Sequence, residues 1–208
     1  MSQELILALT GFAFVSSITP GPNNLMLMTS GANFGFARTI PHLLGVSIGF
    51  TAMIVLVGAG LAQLFAAFPT LHLVLKVLSA VYLLYLAWKI ATAPPPDATG
   101  PNKGRGARGE PMTFVQAALF QWVNPKAWTM ALTAVTVYAP SGSDAEAAWW
   151  ALAIIALVFG AVNLPSVGAW TMLGVQMKRF LSSPRALRVF NVTMGLLLVA
   201  SLYPVLIH

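Results

Sequence analysis

The chain has 208 residues, of which 58% are hydrophobic and 8% charged, and a mean hydropathy of +0.80. Soluble domains carry about a quarter charged residues, so this composition excludes a water-clad globule and predicts an all-α integral membrane protein in a lipid bilayer. The net charge of +6 does not indicate nucleic acid, because the basic residues stand at the ends of apolar runs; the lack of cysteine excludes disulfides, thiol redox chemistry and cysteine-ligated metals.

Crossing about 30 Å of hydrocarbon takes about 20 helical residues, and six runs are long enough. The first, Leu5–Thr29, follows Ser2-Gln3-Glu4; without a positive n-region it is expected to be a retained span, not a cleaved signal. It contains Ile18-Thr19-Pro20-Gly21-Pro22-Asn23-Asn24. Thr19-Pro20 couples a good N-cap residue to a proline at the first helical position, a helix start inside a span. Such a break frees backbone polar groups and is tolerated only when buried in protein or lining a cavity.

The second run, Pro41–Leu64, carries His42, expected at the interface, and Gly45-Val46-Ser47-Ile48-Gly49, which permits close helix packing within the monomer or in a homodimer. The third is Leu71–Ala91, with Lys76 as an interfacial anchor. The connection Phe65–Thr70 is short and apolar, which leaves open a five-span alternative with a re-entrant segment. Thr92–Met112, with Pro94-Pro95-Pro96, Lys103, Arg105 and Arg108, reads as a flexible cytoplasmic connector (92–112) between halves 1–91 and 113–208 of a single transporter domain. The fourth run, Thr113–Tyr138, holds the second helix start, Asn124-Pro125, followed by Lys126. In the fifth, Ala147–Leu173, Asn163 and Pro165 mark a third irregularity; the sixth is Arg185–Ile207.

Nine of the eleven lysines and arginines fall in or beside the odd connections: Arg38; Lys89, Lys103, Arg105 and Arg108; Lys178, Arg179, Arg185 and Arg188. The positive-inside rule then makes those connections cytoplasmic and both termini periplasmic. Three spans per half enter the membrane in opposite directions. The breaks open corresponding spans, and Leu75-Lys76-Val77-Leu78-Ser79 echoes Leu187-Arg188-Val189-Phe190-Asn191. Six transmembrane helices in a 3+3 inverted repeat are therefore expected, with a binding site near the midplane.

Each half-helix beginning at a break points free N–H groups and a partial positive charge at the membrane centre. Pro20, Pro22 and Pro125 shape the breaks, and Gly21 lets a ligand approach the backbone. Thr19, Asn23 and Asn124 are candidate contacts, with Asn24 and Asn163 in reserve, and Lys126 adds a full charge. Together they suit a carboxylate. No acidic residue lies within a run, so a zwitterion's ammonium would rest on carbonyls, amides or aromatic faces, which favours small neutral cargo over lysine or arginine. The histidines lack metal-ligand spacing, and no cofactor motif or Gly-rich phosphate loop is present. A membrane enzyme would need a nucleophile–base pair or carboxylate dyad, and neither is found. The alternative is a non-transporting scaffold or assembly factor, with a dry interior and Lys126 turned to a partner or the interface.

Thr19-Pro20-Gly21-Pro22-Asn23-Asn24, Tyr82-Leu83 with Ala87-Trp88-Lys89, and Asn124-Pro125-Lys126-Ala127 resemble the LysE/RhtB amino-acid exporters over nearly the whole chain. Pro22-Asn23-Asn24 and Ala87-Trp88-Lys89-Ile90-Ala91-Thr92 look most like the cysteine/O-acetylserine branch, whereas Ser79 stands where the family often has glycine. The resemblance implies a bacterial inner-membrane efflux protein for amino acids and derivatives, driven by the proton-motive force; the restriction to small neutral cargo comes from the residues and not from the resemblance. In this reading Lys126 is the candidate proton carrier.

Overall fold

The computed structural model describes residues 1–61, 63, 67–93, 110–139, 145–181 and 183–203. Among these the chain is helical, without a strand. The helices are α1 (Gln3–Ile18), α2 (Pro22–Phe34), α3 (Phe36–Leu56, prolonged by a π-helical turn at Val57–Leu61), α4 (Pro69–Ala91), α5 (Phe114–Phe120, prolonged by a 3-10 turn at Gln121–Val123), α6 (Pro125–Tyr138), α7 (Ala145–Met177) and α8 (Pro184–Ala200). Pro94-Pro95-Pro96, Lys103, Arg105 and Arg108 of the expected connector lie outside the described residues.

Local chemistry sets the helix starts. Ser2 accepts from the N–H of Leu5, Ser183 from that of Ala186, and Thr113 forms a reciprocal capping box with Gln116. Prolines occupy the first turns of α2, α4, α6 and α8, where a missing N–H costs nothing.

Among the described residues three helices are long and apolar enough to cross a bilayer: Phe36–Leu61, Leu73–Ala91 and Ala145–Met177. The pair α1–α2, bent by 53°, makes a fourth if taken as one span. The 33 residues of α7 reach about 50 Å, well beyond the hydrocarbon thickness. The fourth and sixth apolar runs fold as shorter pieces: Phe114–Val123 with the 14 residues of α6, and the 17 residues of α8.

The first two runs differ from expectation in their bounds. Helix α2 continues to Phe34, and α3 begins at Phe36, before Pro41, which sits inside it. One residue, Gly35 at φ +82°, makes the reversal. That backbone region is open to glycine at little cost, so no polar loop is needed. Arg38 is accordingly already helical, its guanidinium 5.5 Å from the Phe34 ring.

The mostly apolar interior carries a set of polar side chains, and much of the rim is apolar. Asn24, Thr29, Ser30, His42, Gln121, Asn124, Asn163 and Asn191 are buried. Outside, α4 exposes Leu73, Val77, Val81, Leu84 and Trp88, and α8 exposes Val189 and Leu196. Such an outward apolar face fits lipid as its solvent.

Helix α2 is the buried centre, packed on α7, α3 and α8. Its contact with α7 is backbone on backbone: a Cβ at Gly174 would lie 1.9 Å from the carbonyl oxygen of Met28, and one at Gly31 2.2 Å from that of Thr171. Gly45 and Gly49 bring α3 equally close to α5, against the Phe114 carbonyl and Ala118. That glycine pair is spent inside the monomer. At the far end of α2, Asn33 and Asn191 exchange amide hydrogen bonds of 2.9 and 3.4 Å.

His42 is enclosed by the packed helices. It is 2% exposed, and neither ring nitrogen has a hydrogen-bond partner among the described residues. An unmet buried polar group costs about 1–3 kcal/mol. His42→Leu, close in volume, is therefore expected to leave stability unchanged or raise it, read as the melting temperature of purified protein in detergent; a drop of several degrees would mean the imidazole has a partner.

Candidate functional site

The break between α1 and α2 exposes four successive backbone carbonyls, and each meets a donor. The Nδ2 of Asn24 donates to the carbonyls of Ser17 and Thr19, both at 2.8 Å. The indole N–H of Trp170, on α7, donates to Ile18 at 2.9 Å. The Nζ of Lys126 donates to Thr19 at 2.6 Å and lies 3.5 Å from the Pro20 carbonyl. A cation thus sits at the negative end of α1, where the helix dipole favours it. Without such partners a charge inside the membrane costs at least about 2.5–3.5 kcal/mol.

Gly21 explains how Lys126 reaches that position. A Cβ there would stand 2.6 Å from its Cδ and 3.2 Å from its Nζ. The slot expected to admit a ligand is filled by the lysine side chain. The φ of Gly21, −172°, is ordinary extended backbone, so the demand is for space.

The two helix starts differ in their caps. At α6, Asn124 Oδ1 accepts from the N–H of Lys126 at 3.2 Å. At α2 the N-cap is Gly21, without a side-chain cap, and Pro22 has no N–H. The first-turn amides of α2 are therefore the uncapped ones. Trp128 closes the second break much as Trp170 closes the first, donating to the Trp122 carbonyl at 2.9 Å.

The breaks are tied together by amides. Asn23 Nδ2 donates to Gln121 Oε1 at 2.8 Å, and Gln121 Nε2 donates back to Asn23 Oδ1 at 3.2 Å and to the Ala117 carbonyl at 2.8 Å. Gln121 is fully buried. Its signal in the sequence is a lone amide one turn before Asn124. Gln121→Leu leaves the Asn23 amide unpaired and is expected to cost about 1–3 kcal/mol; a double-mutant cycle with Asn23→Leu should return a coupling of at least about 0.5 kcal/mol, and a coupling of zero would contradict the pairing.

A small cleft, open on one side, lies at this crossing. Its polar side comprises Ser16, Ser17, Asn24, Asn124, Lys126 and Asn163; its apolar side comprises Phe50, Ala127, Met130 and Val167. Gly21 and Asn23 border it as well. Among the described residues that line it, Lys126 is the one that is charged. Asn163 donates from Nδ2 to the Ser17 hydroxyl at 3.2 Å, while its Oδ1 has no partner among the described residues.

Six of the candidate residues, Gly21, Asn23, Asn24, Asn124, Lys126 and Asn163, therefore share one cleft. Thr19 and Pro20 are exposed beside it, and the Thr19 hydroxyl donates to the Val15 carbonyl while its own carbonyl serves Lys126. Pro22 is buried at the first turn of α2, and Pro125 opens α6. Pro165 does not border the cleft, and no break follows from it: α7 runs unbroken from Ala145 to Met177, with the Ser166 hydroxyl donating to the Val162 carbonyl at 2.7 Å.

An all-helical membrane domain, with a polar cleft where two broken helices meet, defines the class as a membrane transport protein and not an enzyme. The family model of the LysE type translocators matches residues 14–201, and the chain belongs to that family. It is similar to the cysteine/O-acetylserine efflux protein of Escherichia coli K12, 28% identical over 200 residues and covering 96% of each chain. With the cysteine/O-acetylserine efflux protein of Salmonella typhimurium LT2 it shares 33% identity over 139 residues, 66% of this chain and 67% of the relative. No solved structure matches the chain.

Proposed function

We propose that the protein exports small neutral amino acids or close derivatives across the bacterial inner membrane, driven by the proton-motive force. The observation that carries this reading is the cleft itself: one cation and the uncapped start of α2 stand among amides and hydroxyls, and no carboxylate lines it among the described residues. That arrangement favours a carboxylate-bearing molecule and disfavours cargo with a cationic side chain. Phe50, Ala127, Met130 and Val167 offer an apolar wall to a short side chain. The names of the relatives support amino-acid efflux, with cysteine and O-acetylserine as the first cargoes to test.

Transport proceeds in this reading by alternating access between residues 1–91 and 113–208, two inverted three-helix halves joined by a cytoplasmic connector, with both termini periplasmic. Helix breaks at corresponding places, each closed by a tryptophan indole, support the repeat. Lys126, already hydrogen-bonded to α1, uses its remaining N–H for the substrate carboxylate. Its exchange between carbonyl and carboxylate links the cargo to the α1–α2 joint.

The test is efflux of labelled cysteine, O-acetylserine, threonine, homoserine, leucine and lysine from expressing cells, with and without an uncoupler. Uncoupler-sensitive efflux of at least one neutral member, with lysine retained, is the expected result. Absence of efflux of every member, from protein shown to be in the membrane, would overturn the proposal.

A further inference from the structure

We propose that Asn163 Oδ1 is the acceptor for the substrate's α-ammonium group, and that through it the cleft discriminates amino acids from plain carboxylates. The inference rests on the exporter reading and assigns to it the second anchoring point.

Asn163 is 5% exposed, on the polar side of the cleft. Its Nδ2 is held by the Ser17 hydroxyl, which fixes the amide plane and leaves Oδ1 as a buried acceptor without a donor among the described residues. Several neighbouring polar atoms are engaged elsewhere. Asn24 Nδ2 is shared between two carbonyls, Asn23 is paired with Gln121, and Asn124 Oδ1 caps α6. Asn163 Oδ1 is the fully buried side-chain oxygen of the cleft that lacks a donor among the described residues. A buried carbonyl oxygen of this kind is satisfied by an N–H donor, and an ammonium supplies three.

The cleft is thereby polarised. A carboxylate belongs toward Lys126 and the start of α2, and an ammonium toward Asn163. Since the acceptor is a neutral amide, it holds an ammonium without attracting a second cation. A carboxylate that lacks the amine leaves Oδ1 unmet, and a site built to bond a polar group rejects the analogue without it.

The probes are L-cysteine and 3-mercaptopropionate, which differ only in the α-amino group. Each is used to compete with labelled O-acetyl-L-serine counterflow in proteoliposomes containing the full chain. The wild-type protein is expected to prefer L-cysteine by at least about tenfold. Asn163→Leu should bring the ratio toward one by weakening L-cysteine alone. Asn163→Asp, which keeps an acceptor, should hold the preference, and it answers the question if the leucine variant fails to fold. An unchanged ratio in Asn163→Leu, equal weakening of both competitors, or loss of the preference in Asn163→Asp would each overturn the assignment. Counterflow by wild-type protein together with any of these defeats only the role of Asn163, whereas no counterflow of any panel amino acid by wild-type protein defeats the exporter reading and this inference with it.

Discussion

Lys126→Met is expected to lower efflux at least about tenfold while leaving the protein folded in the membrane. The loss of one charge-assisted hydrogen bond to a carboxylate is worth about 1.5–3 kcal/mol, and 1.4 kcal/mol is tenfold. The fold tolerates the change because the Thr19 carbonyl keeps its bond from Asn24 at 2.8 Å and Pro20 is exposed. Arginine is not an adequate substitute. The lysine chain passes over Gly21, where an added atom would stand 2.6 Å away, and a planar guanidinium is broader than an ammonium. Lys126→Arg should therefore recover less than half of the wild-type rate. Gradient-dependent efflux equal to wild type in Lys126→Met, measured at matched membrane abundance, would remove the lysine from the mechanism.

The second large effect concerns the contact between α2 and α7. Gly174→Val should cost about 3 kcal/mol or more, because the new Cβ would fall 1.9 Å from the Met28 carbonyl oxygen and helix backbones cannot yield as side chains do. Gly31→Val should act similarly through Thr171. Gly11 provides the control: a Cβ there meets nothing within 4 Å, so Gly11→Ala should be neutral or mildly stabilising. Melting in detergent, followed by the fraction of monodisperse protein, reads all three. A Gly174→Val protein that melts with wild type would show that the two helices are not in backbone contact.

Both helix breaks were legible in the sequence because cap residue and proline act locally. Thr19-Pro20 and Asn124-Pro125 announce a start whatever surrounds them, though the first is displaced by two residues, to Pro22. The cleft's membership was legible for the same reason, since Asn23, Asn24, Asn124 and Lys126 stand beside those signals. What satisfies the breaks was not legible. Trp170 reaches back across 152 residues to Ile18, and Gln121 bonds Asn23 across 98; no local pattern encodes such partners. Gly35 escaped because a reversal through one glycine leaves no polar loop to see. Pro165 misled in the other direction, since a neighbouring hydroxyl and the packed faces of α7 hold the helix continuous around it.

In the proposed transport cycle the cleft between the breaks receives the substrate. The absence of cysteine makes this directly measurable: Met130→Cys places a single thiol on the cleft's apolar wall, on a side chain smaller than the one it replaces. The thiol is expected to react with a small water-soluble maleimide in membranes, and O-acetyl-L-serine should slow that reaction in proportion to its occupancy of the site. A thiol that stays unreactive, or one labelled at the same rate with every amino acid of the panel present, would contradict the claim.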